Sequence, residues 1–193
     1  NYPDIQKDFQ RLLKNFKDNC SGLEIDCRLR PEGKSSQLVW DLEEYKKYFS
    51  NRARIWELQA FTKCRYVFGN IELFNSFFTH YILTVKQKDE VLVKKEMSEM
   101  RKKLYPGLET SFNIKKSSGG LADIDFILSF LFLSHPDLLA ERKENKSSNS
   151  FELMRKAPFK DIKFDQLEIN YYSLKQIELT NQSLFNSRLA KIP

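Results

Sequence analysis

Glu24, Asp26, Arg28 and Arg30 occupy every second position of the run Leu23-Glu24-Ile25-Asp26-Cys27-Arg28-Leu29-Arg30. Leu23, Ile25, Cys27 and Leu29 stand between them. Strict alternation predicts a β-strand with one polar face, on which side chains at i and i+2 lie about 7 Å apart. Two carboxylates followed by two guanidiniums on that face suit a magnesium–phosphate ligand. Carboxylate oxygens bind the hard cation, and guanidinium forks take phosphate oxygens. The same pattern serves as the salt-bridged outer face of an edge strand, the reading that local spacing alone favours.

Other residues invite the same weighing. Lys115 and Lys116 sit beside Gly119-Gly120, where an ammonium either approaches phosphate or lies in a solvated loop. Asp123-Ile124-Asp125 follows the glycines but runs into the apolar stretch Phe126-Ile127-Leu128. Asp123 therefore reads as an acid in the first turn of a helix, favourable to its dipole, and Asp125 as a partner of the glycine loop. Trp56 reads as a core anchor and Glu57 as a partner of Arg65 or Arg54. His80 and His135 have no Cys or carboxylate at metal-ligand spacing, and packing or capping suits them. Cys20, Cys27 and Cys64 form no Cys-x-x-Cys pair and are odd in number. A zinc site or disulfide framework is not expected, and a reducing cytoplasm is.

The elements that must position these groups follow from periodicity. Ile5, Phe9, Leu12, Leu13 and Phe16 predict a helix over 4–18, with Asp4 as its cap. After the Glu24–Arg30 strand, Pro31-Glu32-Gly33-Lys34 is a turn and Gln37–Trp40 a returning strand. Asp41 caps a helix carrying Leu42, Tyr45, Tyr48 and Phe49. Further helices are predicted over about 52–68, 71–85, 91–104 and 121–134, then 150–156 and 164–188. The polar stretch 141–150 reads as a loop. The expected class is α+β, predominantly helical, with a short β-hairpin followed by a helical bundle.

Composition narrows the function. The chain has 193 residues, 41% hydrophobic and 30% charged, enough for one core and too apolar for disorder. The net charge of +6 is interspersed, as where Lys94-Lys95 meets Glu96, and lacks the dense stripe of a nucleic-acid surface. The longest apolar run, Phe126 to Leu133, is broken by Ser129 and falls well short of the roughly 20 residues of a membrane span. The first residues, Asn1-Tyr2-Pro3-Asp4, show neither an initiator Met nor a signal sequence, so a cytoplasmic piece of a larger protein is expected.

Three ordered blocks then carry a resemblance. Ile25-Asp26-Cys27-Arg28-Leu29-Arg30-Pro31-Glu32-Gly33 resembles the Ile-Asp-x-Arg-Leu-Arg-Pro-x-Gly signature of the glutamine synthetase adenylyltransferase family, within the nucleotidyltransferase superfamily. Trp56-Glu57-Leu58-Gln59-Ala60, followed by Lys63-Cys64-Arg65, Val67 and Gly69-Asn70, is similar to the family's Trp-Glu-x-Gln-Ala, Arg-Ala-Arg and Val-x-Gly-Asp run. Met100-Arg101, Asn113-Ile114-Lys115-Lys116 and Gly119-Gly120-Leu121 through Phe126 resemble its Asp-Ile-Lys and Gly-Gly-Ile-Arg-Glu-Ile-Glu-Phe segment. Asn113, Ser117 and Ala122 depart from the family's Asp, Gly and Arg.

The resemblance implies transfer of AMP from ATP to a tyrosine of glutamine synthetase, or its removal by phosphorolysis, in a magnesium-dependent reaction. It places Asp26 as a catalytic and metal-binding carboxylate with Glu24 beside it, and Arg28, Arg30 and Lys115 as nucleotide-binding cations. The family's Gly-Ser-Asp-x-Asp motif does not occur before Asp26. Residues 1–40 are therefore expected to be the C-terminal part of a catalytic domain and 41–193 a helical bundle domain. A chain lacking the other carboxylates is expected to be inactive alone. The alternative from another class is a non-catalytic helical module that docks glutamine synthetase or a PII-type signal protein.

Overall fold

A computed structural model describes residues 2–20, 26–27, 30–33, 36–105, 112–144, 149–156, 159 and 161–185. The extended elements among the described residues are helices: α1 (Tyr2–Asn19), α2 (Leu42–Asn51), α3 (Ile55–Phe61), α4 (Ile71–Lys86), α5 (Glu90–Leu104), α6 (Leu121–Ser134), α7 (Pro136–Glu144), α8 (Ser150–Arg155) and α9 (Phe164–Phe185). Local chemistry fixes several starts. Asp41 accepts from the Glu43 and Glu44 amides, Asn70 from Glu72 and Leu73, and Asp89 from Leu92, each satisfying amides that a first turn leaves open. Helix α1 begins at Tyr2, which puts Asp4 inside the first turn instead of at the cap.

The expected β-hairpin is absent among the described residues. Asp26, Cys27, Arg30 and 36–40 are non-helical but form no strand, while Glu24, Ile25, Arg28 and Leu29 lie outside the described residues. Side chains take the place of the ladder. The Gln6 carboxamide accepts from the Leu38 amide at 3.1 Å and donates to the Val39 carbonyl, so an amide of α1 satisfies the peptide groups a strand partner would have used. The Arg30 guanidinium donates to the Cys27 carbonyl and, from Nη2, to the Ser36 carbonyl at 3.0 Å, closing the loop on itself. Alternation predicts a strand only where a partner completes the ladder, and none is present among the described residues.

Two helices have other lengths than periodicity suggests. Helix α3 stops at Phe61 instead of continuing to 68. The Thr62 hydroxyl donates to the Gln59 carbonyl at 2.7 Å, and Arg142 takes the Thr62 carbonyl, so the terminal acceptors find partners outside the helix. Helix α7 runs into the stretch expected as a loop. Pro136 starts it, Leu139 is fully buried, and Glu141 and Arg142 are engaged by Lys156 and Thr62.

The core is built around α6, which packs on α3, α4, α5, α7, α8 and α9. Its sequence is apolar on every side, and Ile124, Leu128, Leu131, Phe132 and Leu133 are all buried. A second layer of rings joins α2, α3 and α4: Phe49 and Phe61 meet edge-on with centroids 4.8 Å apart, and Tyr45 lies 5.1 Å from Phe77. Tyr81 is fully buried and donates its hydroxyl to the Leu58 carbonyl at 2.8 Å.

Candidate functional site

Two regions hold the residues that sequence chemistry singles out. The first is the turn before α2. Pro31 is buried, and Glu32 adopts a left-handed φ of 59°. That turn is tied to the helical body by a chain of polar contacts. The Glu32 amide donates to the Tyr48 hydroxyl at 3.4 Å, which donates to Glu57 Oε1 at 2.6 Å. Glu57 Oε2 accepts from the Arg54 amide at 2.9 Å, and Arg52 pairs with the Glu32 carboxylate at 2.7 Å while stacking over the Tyr48 ring. Glu57 is only 5% exposed, so its partner is the Tyr48 hydroxyl and the Arg54 backbone, and neither predicted guanidinium carries it. Burial first, and then the bond to Glu57, push the Tyr48 hydroxyl above its ordinary pKa.

The second region is a cleft of about 480 Å³ between α3, α5, α6 and α9. Trp56 and Gln59 line one wall, Met100 and Phe126 another, and Tyr171 and Lys175 the third. Trp56 is half-buried and faces this cleft, which corrects its reading as a core anchor. Asp125 pairs with Lys63 at 2.9 Å, and Lys175 with the buried Glu178 at 2.6 Å. Lys115 enters from the loop between α5 and α6. Tyr171, Lys175 and Glu178 were not singled out from sequence; the i, i+3 spacing of Lys175 and Glu178 on α9 was the only signal.

The glycine loop itself is closed to phosphate. The Gly119 amide donates to Asp123 Oδ2 at 2.7 Å, Gly120 to the Ser117 carbonyl at 2.8 Å, Leu121 to the Ile114 carbonyl at 2.9 Å and Ala122 to the Lys115 carbonyl at 3.0 Å. Every amide a phosphate would need at the α6 terminus is taken. The loop is held by Asp123, not by Asp125. Arg101 pairs with Asp123 through Nε and donates to the Tyr105 carbonyl at 2.8 Å. Burial pushes the Asp123 carboxyl up, but the Arg101 guanidinium and the Gly119 amide together outweigh it and hold the group below the usual carboxylate range. A depressed pKa stabilises the fold above the unfolded value, about 3.9, and the gain is lost as pH falls through the lower folded value. Asp123→Asn is accordingly expected to cost about 2 kcal/mol in urea unfolding at pH 7, and markedly less at pH 3.

Of the residues expected to bind a nucleotide or metal, Asp26 is exposed on the stretch between α1 and α2, Arg30 holds its own loop, and Lys115 lines the cleft. Glu24 and Arg28 lie outside the described residues. Asp26 takes no part in the cleft lining, whereas Lys115 does. Among the described residues no three His, Cys, Asp or Glu side chains gather in a way that could hold a metal ion.

Comparison with known proteins decides the family. The model of the glutamate-ammonia ligase adenylyltransferase family matches residues 6–79, from α1 to α4. A bifunctional glutamine synthetase adenylyltransferase/adenylyl-removing enzyme of Shewanella loihica is 36% identical over 141 residues, 67% of this chain. The chain belongs to the glutamine synthetase adenylyltransferase family. Enzymes of the same name from Shewanella frigidimarina, 38% identical over 65% of the chain, and Chromobacterium violaceum, 32% identical over 71%, agree. The chain spans about 15% of the length of the Shewanella loihica adenylyltransferase. The adenylyltransferase family match covers Asp26, Arg30 and the Trp56–Ala60 block together. No helix among the described residues is long and apolar enough to cross a membrane.

Proposed function

We propose that this chain is a segment of an enzyme that transfers AMP from ATP to a tyrosine of glutamine synthetase, or removes it by phosphorolysis. Asp26, with Glu24 beside it, supplies carboxylate to the reacting centre. Arg28 and Arg30 neighbour the nucleotide phosphates, and Lys115 offers its ammonium to an anionic group in the cleft. Residues 1–40 belong to the catalytic domain and 41–193 to a helical domain packed on it. The Gly-Ser-Asp-x-Asp carboxylates that the family's magnesium chemistry uses do not precede Asp26 in this chain. The 193-residue chain alone is therefore proposed to turn over no ATP.

The observation that carries this reading is the Glu32–Tyr48–Glu57 chain. It joins the turn after Asp26 and Arg30 to the Trp56–Ala60 block, and the family match covers both segments. Such a coupling supports a reacting segment held rigidly by the helical body. A second reading, a docking module for glutamine synthetase or a PII-type signal protein, draws on Val67 and Phe68, which are 75% and 95% exposed.

The test is AMP transfer from labelled ATP to glutamine synthetase by the longer polypeptide that carries this segment, beside its Asp26→Asn twin. Loss of a carboxylate that shapes the transition state is expected to lower transfer at least about 100-fold. Unchanged transfer in the twin would remove Asp26 from the chemistry. Absence of transfer in both folded proteins would favour the docking module.

A further inference from the structure

We propose that the cleft between α3, α5, α6 and α9 is a binding site for a small organic monoanion. Its charged group sits at the Lys115 ammonium and its apolar body against Trp56 and Phe126. Of the residues named for AMP transfer only Lys115 lines this site, and Asp26 and Arg30 do not.

Size is the first argument. A cavity of about 480 Å³ lies within the range of roughly 300–1,000 Å³ in which small-molecule sites fall. Its walls are mainly apolar, with Met100 and Leu104 completing the surface around Trp56 and Phe126, and only a few polar groups converge on it. Such a lining binds a body by exclusion of water and orients it by its polar contacts.

Charge is the second. Lys63 is neutralised by Asp125 at 2.9 Å and Lys175 by Glu178 at 2.6 Å. Lys115 makes no ion pair or side-chain hydrogen bond among the described residues, although it lines the same cleft. The cleft thus carries a surplus of one positive charge, on one group. The Gln59 carboxamide, also in the lining, makes no side-chain hydrogen bond among the described residues and is available to orient a polar atom.

The third argument separates a monoanion from a polyphosphate. A di- or triphosphate needs several convergent donors, as a phosphate-binding loop provides. Here the amides of Gly119, Gly120, Leu121 and Ala122 are all bonded within the protein, and Arg101 is committed to Asp123. One ammonium matches one carboxylate, whereas a phosphate monoester brings nearly two charges at pH 7.

The test is an NMR titration of the ¹⁵N-labelled 193-residue chain with four probes of one ring system: 1-naphthoate, 1-naphthyl phosphate, methyl 1-naphthoate and 1-naphthylmethylammonium. The acids are expected to shift the Trp56 indole and Gln59 side-chain resonances and to bind about tenfold or more tighter than the neutral ester. 1-Naphthoate is expected to bind tighter than the nearly doubly charged 1-naphthyl phosphate, and the reverse order would overturn the choice of a monoanion. Lys115→Glu, at an exposed position, is expected to abolish that preference and favour the naphthylmethylammonium. Equal affinity for acid and ester, acid binding that survives Lys115→Glu, or no response at Trp56 and Gln59 at saturating probe would overturn the assignment.

Discussion

Glu57→Ala is expected to destabilise the chain by about 4 kcal/mol, read as a lower urea midpoint at unchanged slope. The carboxylate is buried and accepts from the Tyr48 hydroxyl at 2.6 Å and from the Arg54 amide at 2.9 Å. Alanine strands both donors away from water, at a cost of about 1–3 kcal/mol each, and leaves a void where the side chain stood. Glu57→Gln should cost less, about 2 kcal/mol, because one oxygen still accepts while the new NH₂ faces a donor. The contact with Tyr48 can be isolated by a double-mutant cycle with Tyr48→Phe. Because both substitutions remove the same bond, the pair should cost less than the sum of the singles by about 1–2 kcal/mol. Strict additivity would mean that the two groups do not act together.

This network shows where the sequence was legible and where it was not. The boundaries of α6 follow directly from Gly120 at one end and Pro136 beyond the other, with an apolar run between. The caps at Asp41 and Asn70 are equally local, since the side chain bonds amides two and three residues ahead. The misread end of α3 and the missing hairpin involve partners far along the chain. The end of α3 depends on Arg142, 80 positions away, and the non-helical stretch at Leu38–Val39 depends on Gln6, 32 positions from Leu38. Periodicity has no access to such bonds. The candidate site divides in the same way. Lys115 was visible as a cation beside glycines, but its cleft is assembled from α3, α5, α6 and α9 and exists only once the bundle is packed. Trp56 was misplaced for that reason: a large ring at helical spacing reads as core until the neighbouring helices leave a space beside it.

The loop that carries Lys115 yields the second large effect. Gly120→Ala is expected to cost roughly 3 kcal/mol, more than Gly119→Ala, although only Gly119 has a positive φ, of 80°. A β-carbon at Gly119 meets nothing within 4 Å, so its substitution costs only the left-handed conformation, about 1 kcal/mol. At Gly120 the new carbon would lie 2.6 Å from the Ile114 carbonyl oxygen and 2.9 Å from that of Ser117. Neither oxygen can turn away freely. Ile114 accepts from the Leu121 amide and Ser117 from the Gly120 amide, so relief of the overlap breaks the bonds that start α6. The same displacement moves the Lys115 carbonyl, which accepts from Ala122, and should carry the ammonium out of register with the cleft. Gly120→Ala is therefore expected to lower both the unfolding midpoint and the affinity for 1-naphthoate, while Gly119→Ala lowers the midpoint slightly and leaves binding intact. The reverse order of stabilities would show that backbone conformation, not the close approach of the two carbonyls, dictates glycine at this turn.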